Sequence, residues 1–139
     1  MPLLQAGAVN VIHPDLATSG GILETKGVGD LAQEYGISMA LHMAGTPISA
    51  MASVHCAAAT EIFIALAHHF ADVPFWNNFI DGVPKPIIQN GFIDVRTAPR
   101  LELSLSEEAV KAHLIPEDRG FFEPTPQWDT GISWDRLWS

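Results

Sequence analysis

Asp15 and His42 are the residues of this sequence whose types and places suit acid–base chemistry. Asp15 follows the short apolar run 9–13 (VNVIH) across Pro14, and His42 ends the apolar run 37–42 (ISMALH). A carboxylate hydrogen-bonded to one imidazole nitrogen fixes the ring tautomer and stabilises the charged ring. The other nitrogen is then free to move a proton near neutral pH. Each residue also has a plainer role: Asp after Pro is a common turn former, and a single His after an apolar run is a common satisfied interior group. His13 and Asp15 share a face by the two-residue period of a strand. A metal held by His13, Asp15 and His42 is therefore a second arrangement, although no diagnostic zinc spacing is present.

The remaining candidates point less clearly to chemistry. His68 and His69 are adjacent, and neighbours on an extended chain point to opposite faces, so one can face a site while the other faces away. His55 and Cys56 are one residue apart on an expected helix and do not share a face. Gly20 and Gly21 precede a helix and could meet an anion through backbone N–H groups. They lack the full glycine fingerprint of a nucleotide loop, and a tight turn is the expectation.

The elements that must position these residues alternate. Strands are expected at 9–13, 37–42 and 62–66, with starts 28 and 25 residues apart, the spacing of successive strand–helix units. All three are apolar almost throughout, which suits a parallel sheet covered on both faces. Between them, residues 22–35 carry an apolar stripe through Ile22, Leu23, Val28, Leu31, Ala32 and Tyr35, weakened by Gly27 and Gly29 and stopped by Gly36. A second helix opens at Pro47 and runs through small residues. In such sheets functional side chains gather at the carboxyl ends of the strands, and sequential strands are usually neighbours. Asp15 and His42 then project into one mouth. Beyond residue 71, the aromatic, proline-rich stretch 72–86 is expected to be an irregular packed loop. Asn90-Gly91 marks a hairpin, Ser106 caps a short helix over 106–114, and a tail at 121–139 holds three of the four Trp residues as an extended strap.

Composition narrows the function classes. The chain has 139 residues, 47% apolar and 17% charged, with a formal charge of −9, too apolar for disorder. That acidic balance argues against nucleic-acid binding, because nothing here could neutralise a run of phosphates. No apolar stretch is long enough to span a membrane. A single cysteine, Cys56, excludes an internal disulfide and fits the reducing cytoplasm. Residues 1–84 hold one basic residue, Lys26, against seven acids, whereas 85–139 hold six basic residues and nine acids. The first part therefore reads as core-forming. The second reads as a more solvated appendage of hairpin, short helix and strap.

The run HPDLATSGGILETKGVGDLAQEYGISMALHMAGTP resembles the late barrel segment of the enolase superfamily. More narrowly it is similar to the mandelate racemase and muconate lactonizing enzyme group, with its acid-sugar dehydratases. The matching pieces are Pro14-Asp15, GGILE at 20–24 and ALH at 40–42, then HCAAAT at 55–60, IALAHH at 64–69 and KPIIQNGFIDV at 85–95. The resemblance implies an α/β fold, the C-terminal portion of a (β/α)-barrel with about three parallel strand–helix units, so that residues 1–84 are a partial barrel. It places Asp15 on the sixth strand and His42 on the seventh as catalytic residues. It also implies removal of a proton α to a carboxylate, with Mg²⁺ stabilising the enediolate, and in the dehydratases loss of a β-hydroxyl from a sugar acid.

Two departures accompany the resemblance. The family's eighth strand usually ends in a Glu that contacts the substrate, and that position here is Ala67; Glu61 lies about 20 Å away along the strand. The family's metal ligands and lysine base lie upstream of any segment present. A whole barrel takes eight units and about 250 residues. The chain is thus expected to be the carboxyl-terminal part of such an enzyme, with no metal site of its own. To act on a sugar acid it would need an N-terminal half or a homo-oligomer. The alternatives are an inactive piece acting as a binding or oligomerising module, and an independent small α/β domain.

Overall fold

The computed structural model describes residues 2–70 and 72–123. Two compact units form, Met1–Glu107 and Glu108–Ser139. The first opens with a short helix α1 (Pro2–Gln5), strand β1 (Val11–Ile12), helix α2 (Gly21–Glu34), strand β2 (Ser38–Met43), helix α3 (Pro47–Ala58) and strand β3 (Phe63–His68). The three strands form one parallel sheet in the order β1-β2-β3, the expected alternation. β1 is shorter than the expected 9–13, because only Val11 and Ile12 pair continuously with β2.

Period-two alternation divides β2. Met39, Leu41 and Met43 are buried on one face, whereas Ser38, Ala40 and His42 are only half-buried on the other. The buried face meets Ala52, Cys56 and Ala57 of α3, with Leu16 from the loop after β1. Loss of a side chain such as Leu41 to Ala from such a core costs about 2–5 kcal/mol. A second cluster gathers Met43, Ala50, Trp76, Ile80 and Ile87. The expectation of a sheet covered on both faces therefore holds for one face of β2 only; on β3, Ile64 is exposed on that same face. Small side chains (Ala40, Ala65, Ala67) hide the open face from a reading by hydrophobicity.

Local chemistry sets the helix ends. Thr46 caps α3 through a long bond in which its hydroxyl oxygen accepts from Ser49 N, at 3.5 Å, with Pro47 opening the first turn. Gly20 and Gly21 stand at φ 95 and 89, so the expected tight turn is present. A Cβ on Gly20 would lie 2.9 Å from Cγ of Glu24.

The stretch after β3 is more regular than expected. A 3₁₀ turn (Trp76–Phe79) leads into β4 (Ile80–Asp81), which pairs antiparallel with β5 (Ser104–Leu105). The indole N–H of Trp76 donates to Gly45 O at 2.8 Å, tying this turn to the loop after β2. At the Asn90-Gly91 hairpin, Gln89 and Phe92 exchange both backbone bonds, and both turn residues have positive φ. The pairing stops at that single bridge. Arg96 Nε donates to Glu102 Oε2 at 2.6 Å, clamping the loop that follows.

The second unit contains α4 (Glu107–Ala112) from its second residue onward and a 3₁₀ turn (Pro116–Asp118), with the Lys111 ammonium 5.0 Å above the Phe122 ring. The tryptophan strap expected in the tail lies outside the described residues from 124 onward. Among the described residues no helix is long and apolar enough to cross a membrane.

The two glycines inside α2 differ physically. A Cβ on exposed Gly27 meets nothing within 4 Å, whereas one on buried Gly29 would lie 3.0 Å from Thr60 Cγ2 and 3.3 Å from Met39 Sδ. Thr60 and Met39 are themselves buried and have little room to yield. Gly27→Ala is expected to stabilise the chain by about 0.4–1 kcal/mol. Gly29→Ala is expected to destabilise it by about 1–3 kcal/mol through overpacking. Urea midpoints of the two variants check this, and equal gains would refute it.

Candidate active site

β1 and β2 run in register at Val11↔Ser38 and Ile12↔Met39. The same 27-residue offset reappears past the end of β1, where His42 N donates to Pro14 O at 2.9 Å and Asp15 forms a parallel bridge with His42. Residues 11, 13 and 15 thus share the half-open face with 38, 40 and 42. His42 Nδ1 and Asp15 Oδ2 lie 2.7 Å apart at the carboxyl ends of their strands, with side chains 29% and 17% exposed. The two residues expected at one rim are brought together.

The charge state of the pair follows from its partners. The hydrogen bond from His42 holds the Asp15 carboxyl below the usual carboxylate range; burial opposes this, while the backbone N–H groups of Ala17 and Ala44 assist it. Asp15 is therefore ionised at neutral pH, and its two oxygens accept from His42 and, at 2.8 Å, from Ala17 N. The His42 bond must then be an Nδ1–H donor, and in the neutral ring Nε2 is the nitrogen that carries the lone pair.

Two further imidazoles flank His42. His13, whose Nδ1–H donates to Ala40 O at 2.8 Å, presents an edge with ring centroids 5.3 Å apart. His69, one residue past the end of β3, has its ring centroid 4.5 Å from that of His42, with the planes inclined at 56°. The opposite orientation of the His68–His69 pair resolves accordingly: His69 goes to the His42 side. His68 packs edge-on against Trp76 at 4.6 Å, with both ring nitrogens buried and unpartnered among the described residues. Burial pushes the His68 imidazole below its usual value, and the neighbouring His69 adds to the effect. Sequence parity alone left open which of the two turns inward, and no motif marks His69. A groove of about 560 Å³ runs along the outer edge of β3, on His68 and away from His42, between Val54, Ile64, Phe92 and Ile93.

The other candidates separate. His55 and Cys56 form no joint site; Cys56 is a core residue whose thiol is pushed up by burial. Ala67 pairs in register with His42, so a methyl group stands beside the imidazole. Among the described residues no group of three or more His, Cys, Asp and Glu is placed to hold a metal ion. The His13–Asp15–His42 metal arrangement is not found among them: Asp15 turns one oxygen to His42 Nδ1 and the other to Ala17 N. Nor do these residues fit Mg²⁺, which takes a near-octahedral shell of oxygens.

Residues 1–109 match the family described as enolase C-terminal domain-like. The chain is 37% identical over 121 residues to the D-xylonate dehydratase of Haloferax volcanii, covering 87% of this chain and 29% of that protein. It is 23% identical over 131 residues to the D-gluconate dehydratase of Thermoproteus tenax, covering 94% and 26%. Among solved structures, a mandelate racemase/muconate lactonizing enzyme-like protein from Rubrobacter xylanophilus superposes with a TM-score of 0.79 at 34% identity, over 84% of this chain and 29% of that one. A member of the enolase superfamily from Salmonella Typhimurium gives 0.69 at 32% identity, over 79% and 28%. The chain thus spans under a third of the length of these relatives.

The Asp15–His42 bond carries a pH signature. Because the folded carboxyl titrates below its unfolded value of about 4, the bond's contribution is complete above that pH. It is lost as pH falls through the lower folded value. Asp15→Asn is expected to be less stable than the parent at neutral pH, with the gap closing as the pH falls below about 4. Urea unfolding across that range checks this, and a gap independent of pH would refute an ionised Asp15.

Proposed function

Since the chain belongs to the enolase C-terminal domain-like family, we propose that it supplies the Asp15–His42 acid–base pair of a sugar-acid dehydratase. Its three parallel strands are the C-terminal portion of a (β/α)-barrel wall. The remaining strands, the metal ligands and the lysine base would come from polypeptide equivalent to the other two-thirds or more of the relatives' length. The observation that carries this reading is the 2.7 Å contact between Asp15 Oδ2 and His42 Nδ1 at the carboxyl ends of adjacent parallel strands.

Each residue has a defined task in this reading. Asp15 holds the Nδ1–H tautomer and stabilises the imidazolium when His42 is charged. Nε2 of His42 then takes the proton α to the substrate carboxylate, or returns one to the departing β-hydroxyl. The substrate class is an aldonic or aldaric acid, in line with the sugar-acid names of the relatives. Among the described residues none are grouped to seat Mg²⁺, and in this reading its ligands would lie on the rest of the barrel.

A second reading rests on Ala67. Its methyl group stands in register with His42 where the resemblance places a Glu, so β3 brings no carboxylate to the site at that position. In that reading the chain is a non-catalytic module that keeps the family's wall and assembles with a partner.

Two experiments test these readings. The chain is expected to restore dehydration of a panel of aldonic and aldaric acids when combined with the N-terminal part of a relative. In that complex His42→Asn is expected to lower turnover by about 10²–10⁴-fold, the usual contribution of a positioned acid or base. Full turnover in His42→Asn would overturn the catalytic reading, and assembly without turnover in the unsubstituted complex would favour the module. Calorimetric titration of the chain alone with Mg²⁺ is expected to give nothing tighter than about millimolar, the level of unorganised carboxylates; a tighter site would overturn the assignment of the metal ligands elsewhere.

A further inference from the structure

A single hydrogen bond restrains an imidazole but does not lock it. His42 is held to Asp15 through Nδ1, and the ring can still rock out of that bond unless its faces are supported. Its register partner on β3 would ordinarily give that support, but the partner is Ala67, whose methyl group reaches little of the ring. Two residues further on, and so on the same face of the strand, stands His69. Its backbone N–H donates to Met43 O at 3.2 Å, which extends the β2–β3 pairing by one residue past β3. Its ring lies 4.5 Å from that of His42, centroid to centroid. On the other side His13, itself anchored to Ala40 O, meets His42 edge-on.

We infer that His69 is a positioning residue, clamping the His42 ring against His13 so that Nε2 keeps one direction. It does so by the bulk of a planar ring rather than by exchanging protons. The inference deepens the acid–base reading and rests on it for its functional meaning, but the clamp itself is observable in the chain without substrate. His69 is exposed, so replacing it removes nothing from the core.

The test uses the full chain labelled with ¹⁵N at histidine. The Nδ1–H proton of His42, held by Asp15, should give a downfield signal that Asp15→Asn abolishes; absence of that signal in the unsubstituted chain would defeat the acid–base reading itself. Against that control, His69→Ala is expected to raise the solvent exchange rate of the proton about two- to twelvefold, the population released by losing one ring–ring contact. His69→Asn, a second ringless variant, should do the same. His69→Phe restores a planar ring without a titrating nitrogen and is expected to return the rate to within about twofold of the parent. An unchanged rate in His69→Ala and His69→Asn would overturn the clamp and leave the acid–base pair standing. A rate in His69→Phe as fast as in His69→Ala would overturn it equally, by showing that ring bulk is not what holds His42.

Discussion

The parallel register between β1 and β2 is the constraint on which the site depends. A constant offset of 27 residues runs from Val11↔Ser38 to the bridge between Asp15 and His42. A slip of one residue would turn Asp15 or His42 to the opposite face. The register is protected from the other side of the sheet, where Met39, Leu41 and Met43 are buried against α3, Leu16 and Trp76. Moving β2 by one position would drive His42 into that core and leave three large apolar side chains in the open. The hydrophobic effect on one face therefore holds the polar geometry on the other.

Much of this was legible in the residues. Asp15 and His42 could be paired because each ends an apolar run and the runs recur at strand–helix spacing. The helices were legible from Pro47, the glycine stop after Tyr35 and the apolar stripe of α2. What escaped has physical reasons. β4 and β5 are two residues each, too short for any period to register, and their partners lie more than 20 residues apart. The side on which His69 falls depends on the pairing of β3, which parity within the strand cannot supply. Gly29 weakens the helix by propensity, and its reason appears only in the close approach of Thr60 and Met39.

The half-open face of the sheet has a chemical logic of its own. Ser38, Ala40, Ala65 and Ala67 keep it low, so the taller imidazoles of His13, His42 and His69 stand above it beside the Asp15 carboxylate. The same smallness leaves His42 without a neighbour from its own register partner. Lateral support then has to come from residues at the strand ends, where the backbone is less tightly paired. The groove beside β3 belongs to the other side of the same strand. There Ile64, His68 and Phe92 face an edge that no described strand covers.

The pairing of β3 with β2 shifts by one residue between Met39 and Ala40: Met39 is opposite Phe63, but Ala40 is opposite Ala65. This irregularity sits upstream of the histidine doublet and sets its parity. A lineage that lost or gained one residue in that stretch would reverse every side chain after it. Because both members of the doublet are histidine, an imidazole would still rise beside His42: a gained residue would set His68 in the place of His69, and a lost one would set it in the place of Ala67. The doublet thus acts as a frame-tolerant signal. It keeps one side-chain type at the rim through a kind of length variation that would erase an isolated residue.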